Sequence, residues 1–226
     1  LGEPTRVLAW SLFRKTRNAQ GPKVDFRERA NNFFPLLLIF AIPLFAATAL
    51  LAEDITVGLL GEEWRPATPV VRILAIAYAV LATGAANEAV LSLAGMVRIL
   101  PYMVLFNATI GVGITLIAAP HGIFATAWAQ VASALVIFAI NGWMMHRHAA
   151  IHWWQVFLRL RAVPVALLLA SAVPLLGRQA ALFEALPAFL RAVLLALGFL
   201  AAFYAVLLGL DGRLRGQVRA LVKHKI

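Results

Sequence analysis

Glu88 is the one acid set deep inside an apolar run, about two helical turns before the small-residue turn at Gly95-Met96. A carboxylate at that depth must be paired, hydrated or protonated, so it is a candidate for moving a proton or holding a cation. It has polar company at helical spacing. Gly84, Glu88, Ser92 and Gly95 recur at intervals of four, four and three, with Asn87 beside Glu88. Further along, Asn107, Gly111 and Thr115 repeat every four residues, and Thr126, Gln130, Ser133 and Asn141 stay near one helical face. Residues three and four apart share a face, so each run makes one polar stripe. Ser, Thr and Gly stripes also serve as glue between helices, permitting close approach and interhelical hydrogen bonds. Glu88 too has a structural reading, as an acid tying its helix to the next one through Asn107.

Other reactive side chains point to no chemistry. His146, His148 and His152 have metal-like spacing, yet they sit with Arg147 and Trp153-Trp154 and lack carboxylate or thiolate company. With no cysteine, disulfides and thiolate sites are excluded. Gly-rich phosphate loops, nucleophile elbows and HExxH motifs are absent from the sequence. No cofactor is expected, and an enzyme is not.

The elements that position these stripes follow from composition. Of 226 residues, 62% are hydrophobic and only 13% charged, with a mean hydropathy of +0.86. That is too little charge to cover a soluble surface. Apolar runs occupy Phe33–Ala52, Val70–Leu93, Pro101–Ala119, Gly122–Met144, Val163–Gly177 and Pro187–Leu210. About 20 residues at 1.5 Å each cross the hydrocarbon of a bilayer. The expected fold is therefore an all-α polytopic membrane helix bundle with about six transmembrane helices. The fifth run is short and carries Pro164 and Pro174; it extends back through Val156-Phe157-Leu158, with Arg159 and Arg161 reaching for the interface. Prolines 35, 43, 164 and 174 are the expected bending points.

Charge gives the orientation. Six spans put both ends on one side, where sixteen of the 20 Lys and Arg fall, within 6–29, at 98, within 147–161 and within 213–225. Arg65, Arg72, Arg178 and Arg191 lie on the other side, among Glu53, Asp54, Glu62, Glu63 and Glu184. Basic residues accumulate in cytoplasmic loops, so both ends are expected in the cytoplasm. A basic face beside oily spans accounts for the +10 charge, and no nucleic-acid partner is implied. Between the first two spans, "GEEWRP" (61–66) sits at the outer interface, with Trp64 at headgroup depth and Pro66 and Pro69 able to start the next helix. The organisation expected is a basic cytoplasmic segment at 1–32, four spans at 33–144, an interfacial linker at 145–162, two peripheral spans at 163–210 and a basic tail at 211–226. Ser171 and Tyr204 are nearly the only polar residues inside the last two spans.

The stretch "LLGEEWRPATPVVRILAIA" (59–77) resembles the Leu-x-Gly-Glu-x-Trp-x-x-Ala-x-Pro-x-x-x-x-Leu segment of bacterial polysaccharide flippases. These belong to the multidrug/oligosaccharidyl-lipid/polysaccharide exporter superfamily. "WSLFRKTRN" (10–18), "FAIPLFAATALLAEDITVGLLG" (40–61), "LSLAGMVRIL" (91–100) and "PHGIFATAWAQVAS" (120–133) resemble further segments in the family's order. The similarity covers about residues 5 to 150; Trp10 and Ala125 depart from the usual Pro and Gly. It implies the C-terminal part of a transporter of about fourteen helices, partnered by a missing N-terminal lobe of the same chain. Such a protein moves undecaprenyl-pyrophosphate-linked oligosaccharide across the bacterial inner membrane by alternating access, with H+ or Na+ as coupling ion. Cavity or coupling candidates under that implication are Glu88, Asn87, Ser92, Asn107, Thr115, Gln130, Asn141 and Arg72, the last being the cation nearest a span's interior. Its partners would be the lipid-linked oligosaccharide and membrane lipids. Efflux of drugs or metabolites within the same superfamily is the alternative, followed by a membrane-embedded glycosyl or acyl transferase or polymerase, or a non-transporting subunit.

Overall fold

The structure, a computed structural model, describes residues 26–87, 90–91, 97–149, 151–180 and 186–210, with side chains throughout except at 26–33, 85–86 and 148–149. It is an all-α, polytopic membrane helix bundle. The helices are α1 (Phe26–Leu50), α2 (Ala52–Leu60), α3 (Thr68–Leu81), α4 (Leu100–Ala118), α5 (Ile123–Ala149), α6 (Trp153–Arg159), α7 (Ala162–Gly177) and α8 (Ala188–Leu210). Among the described residues no strand occurs. Five helical stretches are long and apolar enough to cross a membrane: Glu62–Gly84, Val97–His121, Ile123–Arg147, Trp153–Gly177 and Ala188–Leu210. The bent pair of α1 and α2 makes up to six. These match the six apolar runs, and the fifth does reach back through Val156-Phe157-Leu158.

One detail differs from the sequence reading, the place of the first bend: the chain turns 71° between α1 and α2, at the end of the first run. Pro35 and Pro43 lie inside α1, yet the sharp break falls after both, at Leu51, with φ −100° and ψ 15°. Glu62–Ala67 is a 3-10 turn leading directly into α3, with Pro66 in the turn and Pro69 in the first turn of α3, where the sequence reading has the next helix start. Gly61 (φ 97°) makes the reversal before it and Gly122 (φ 95°) the one between α4 and α5. Both angles lie in the left-handed region, which costs a residue with a Cβ and costs glycine almost nothing.

The chain folds as two compact units. One comprises residues up to 45 together with 73–159; the other comprises 46–72 and 160 onward. In the first, Phe34, Leu38, Ala134, Met145, Ile151 and Val156 are buried. Trp153 knits that core, with ring centroids 5.3 Å from Phe34 and 5.5 Å from Phe138 and its indole N–H donating to the Gly142 carbonyl at 2.8 Å. In the second unit α7 and α8 pack together. α7 buries Val163, Ala166, Ala170 and Pro174; α8 buries Ala192, Leu195, Phe199, Phe203 and Leu207. Both stripes follow the three-and-four spacing of a helix face, small residues on α7 against aromatics on α8.

Candidate functional site

The first unit gathers the polar stripes. Thr115 on α4 donates back to the Gly111 carbonyl (2.7 Å), and its hydroxyl oxygen accepts from the Gln130 side-chain amide on α5 (2.7 Å). Ser133 donates to the Gln130 carbonyl at 3.0 Å. The stripes on the third and fourth spans therefore meet, and they meet as interhelical hydrogen bonding, a structural role for Ser and Thr. Gly111 does not act as a close-approach point: no atom lies within 4 Å of where its Cβ would be. Nearby, Asn107 has a buried Oδ1 that accepts no hydrogen bond from the described residues.

The stripes on the second and fourth spans meet as well. Asn87, just past the 3-10 segment Ala82–Ala86, and Asn141, on α5, are 4% and 5% exposed. They line one small cavity with Thr83, Gly84, Phe138 and Trp153. Neither carboxamide Oδ1 accepts a hydrogen bond from the described protein. Of the remaining candidates, Arg72 is exposed and donates through Nε to the Ala49 carbonyl at 3.3 Å, which helps close the end of α1. Glu88 and Ser92 lie outside the described residues, so the geometry around the stripes is that of their neighbours. Five of the eight candidates (Asn87, Asn107, Thr115, Gln130 and Asn141) therefore sit in the first unit, and Arg72 in the second.

The histidines are engaged locally. His146 approaches the Ile151 carbonyl through Nδ1 at 2.8 Å, so Nδ1 carries the proton, and its ring meets His152 edge-on at 6.1 Å. No group of three metal-ligating side chains occurs among the described residues. Arg147 lies over the Trp143 ring, 5.5 Å from its centroid.

The strongest electrostatic feature is one that sequence reasoning missed. Asp54, expected only as one of the acids on the outer side, is 2% exposed on the first turn of α2, inside the second unit. Its Oδ2 accepts from Arg178 Nε (2.9 Å) and Nη2 (2.6 Å), and its Oδ1 accepts from Arg191 Nε (2.8 Å). Arg191 Nη2 approaches the same Oδ1 at 2.6 Å. Arg178 also donates to the Leu50 carbonyl at 3.2 Å, one of the orphan carbonyls at the end of α1. One carboxylate thus ties the α1–α2 corner to the end of α7 and the start of α8. Charge-assisted pairs of this geometry are strong, and a carboxylate this buried is tolerable only when so fully satisfied. By contrast the neighbouring ion pairs of Arg65 with Glu62 and Glu53 are exposed, where screening leaves them little weight.

The first turns of α2 explain the missed signal. "LLAEDITVGLL" (50–60) puts two acids into an otherwise apolar run, which reads as the end of a span. Its partners are 124 and 137 residues away, beyond any local motif. Gly58, one turn along from Asp54, meets the start of α8 so closely that an added Cβ would stand 2.5 Å from the Phe189 backbone nitrogen.

No family model matches the chain, and no curated protein or solved structure matches it significantly.

Proposed function

We propose that this multi-pass membrane protein is a transporter that moves lipid-linked oligosaccharide, carried on undecaprenyl pyrophosphate, from the inner to the outer leaflet of a bacterial inner membrane. The observation that carries the reading is the gathering of Asn87, Asn107, Thr115, Gln130 and Asn141 in one unit of otherwise apolar helices. Polar groups are costly in hydrocarbon and collect where helices meet or where a wet path runs. Carboxamides and hydroxyls suit a glycan, which offers many hydroxyls and few charges. The "LLGEEWRPATPVVRILAIA" segment supports the same assignment by resemblance. In this reading a second lobe completes the cavity, the two lobes rock about it, and H+ or Na+ exchange at Glu88 drives the cycle.

Two experiments test it. In cells depleted of the full-length protein, lipid-linked oligosaccharide accumulates on the cytoplasmic leaflet; wild type clears it, while Glu88→Gln inserts normally and leaves most of it uncleared. Unchanged oligosaccharide with altered drug or metabolite extrusion would shift the assignment to the efflux branch of the superfamily. For orientation, a reporter after Ile226 reads cytoplasmic and one near Glu62 reads outside, as the excess of basic residues on the side of the ends requires. An outside C-terminus would reverse the topology.

A further inference from the structure

The cavity between the 3-10 segment after α3 and the middle of α5 has an unusual donor and acceptor count. Of its polar lining, Trp153 commits its N–H to the Gly142 carbonyl, and Thr83 commits its hydroxyl hydrogen to the Val80 carbonyl at 2.7 Å. What is left over is the carboxamides of Asn87 and Asn141, whose Oδ1 atoms are both buried and both without a protein donor among the described residues. A buried carbonyl left without a donor is costly, and native structures seldom keep one. The space at water radius is about 10 Å³, room for one water molecule and little more.

We propose that Asn87 and Asn141 hold a single internal water molecule, which donates one hydrogen to each Oδ1. Water is the smallest molecule with two donors, and it needs two or more polar partners to stay in an interior. A metal cation fits the lining poorly. Among the described residues no carboxylate lines the cavity to balance a cation's charge at membrane depth. An anion would face two carbonyl oxygens. The consequence is mechanical and independent of the transport reading. The 3-10 stretch that follows α3 is wound more tightly and with poorer hydrogen bonds than an α-helix, and Gly84 lies within it. A water bridging this segment to α5 can lengthen or re-aim its two hydrogen bonds as the helices slip, without orphaning either carbonyl.

The test is a map of the intact protein at a resolution that resolves waters, together with a double-mutant cycle. Density is expected between the two Oδ1 atoms in wild type and none in Asn141→Leu. In the cycle, Asn87→Leu and Asn141→Leu each reduce the folding equilibrium constant by about tenfold to a hundredfold, because each expels the water and strands the other carbonyl. The double substitution costs less than the product of the two, by about tenfold. Strictly multiplicative costs, or an empty map between the oxygens, would refute the site. A stabilisation by Na+ relative to choline that disappears in Asn141→Leu would put a cation there instead, and would equally overturn the assignment.

Discussion

Asp54→Asn lowers the stability of the protein by about 3–5 kcal/mol, the usual consequence of removing one partner from a buried ion pair. The substitution keeps the side chain's shape, so the loss isolates charge from packing. Arg178 and Arg191, each with about a quarter of its side chain exposed, then repel one another across a neutral amide in place of sharing a carboxylate. Arg178→Gln and Arg191→Gln are milder individually, since each leaves a neutral one-to-one pair. The measurement is an unfolding titration in mixed micelles on all three variants. Equal effects from Asp54→Asn and the two single arginine variants would show that the carboxylate is not the hub of the cluster.

Gly58→Ala is the second large effect, with an expected loss of about 1–3 kcal/mol from overpacking. Its new methyl would sit 2.5 Å from the nitrogen and 2.7 Å from the Cα of Phe189. Those atoms are backbone and cannot rotate away, so α2 and α8 must separate, and Asp54 must stretch toward Arg191 as they do. Gly113→Ala is the control. No atom stands within 4 Å of its Cβ position, and alanine is the better helix former by up to about 1 kcal/mol. Melting curves for the two variants should move in opposite directions; a Gly58→Ala protein as stable as wild type would contradict the close crossing.

What the sequence made legible was whatever depends on composition along the chain. Long apolar runs give the spans directly, since a membrane accepts only segments whose backbone bonds close internally. The backward extension of the fifth span was legible for the same reason. Thr115 and Gln130 were legible as a pair of stripes, because helical spacing fixes which side chains share a face; that they would bond to one another depends on how α4 and α5 are rotated, which no spacing states. The bend at Leu51 escaped because prolines are the visible kink signal, whereas here Asp54 and Gly58 fix the direction of α2 through partners far along the chain. Asp54 itself was hidden by its neighbours. Beside Glu53 it reads as one of two solvated acids, and only the tertiary fold separates the exposed Glu53 carboxylate from the buried Asp54.

The long separation between Asp54 and its arginines also sets a timetable. Chains are synthesised at about 5–20 residues per second, so Arg178, 124 residues after Asp54, emerges roughly 6–25 s later. Arg191 follows 137 residues after Asp54. Throughout that interval the Asp54 carboxylate has no counter-ion from these two helices, and α2 cannot take its buried position. The Asp54 cluster therefore closes only after α3 to α7 have been laid down and α8 has begun. The carboxylate that anchors the unit is made first, and the arginines that satisfy it follow 124 and 137 residues later.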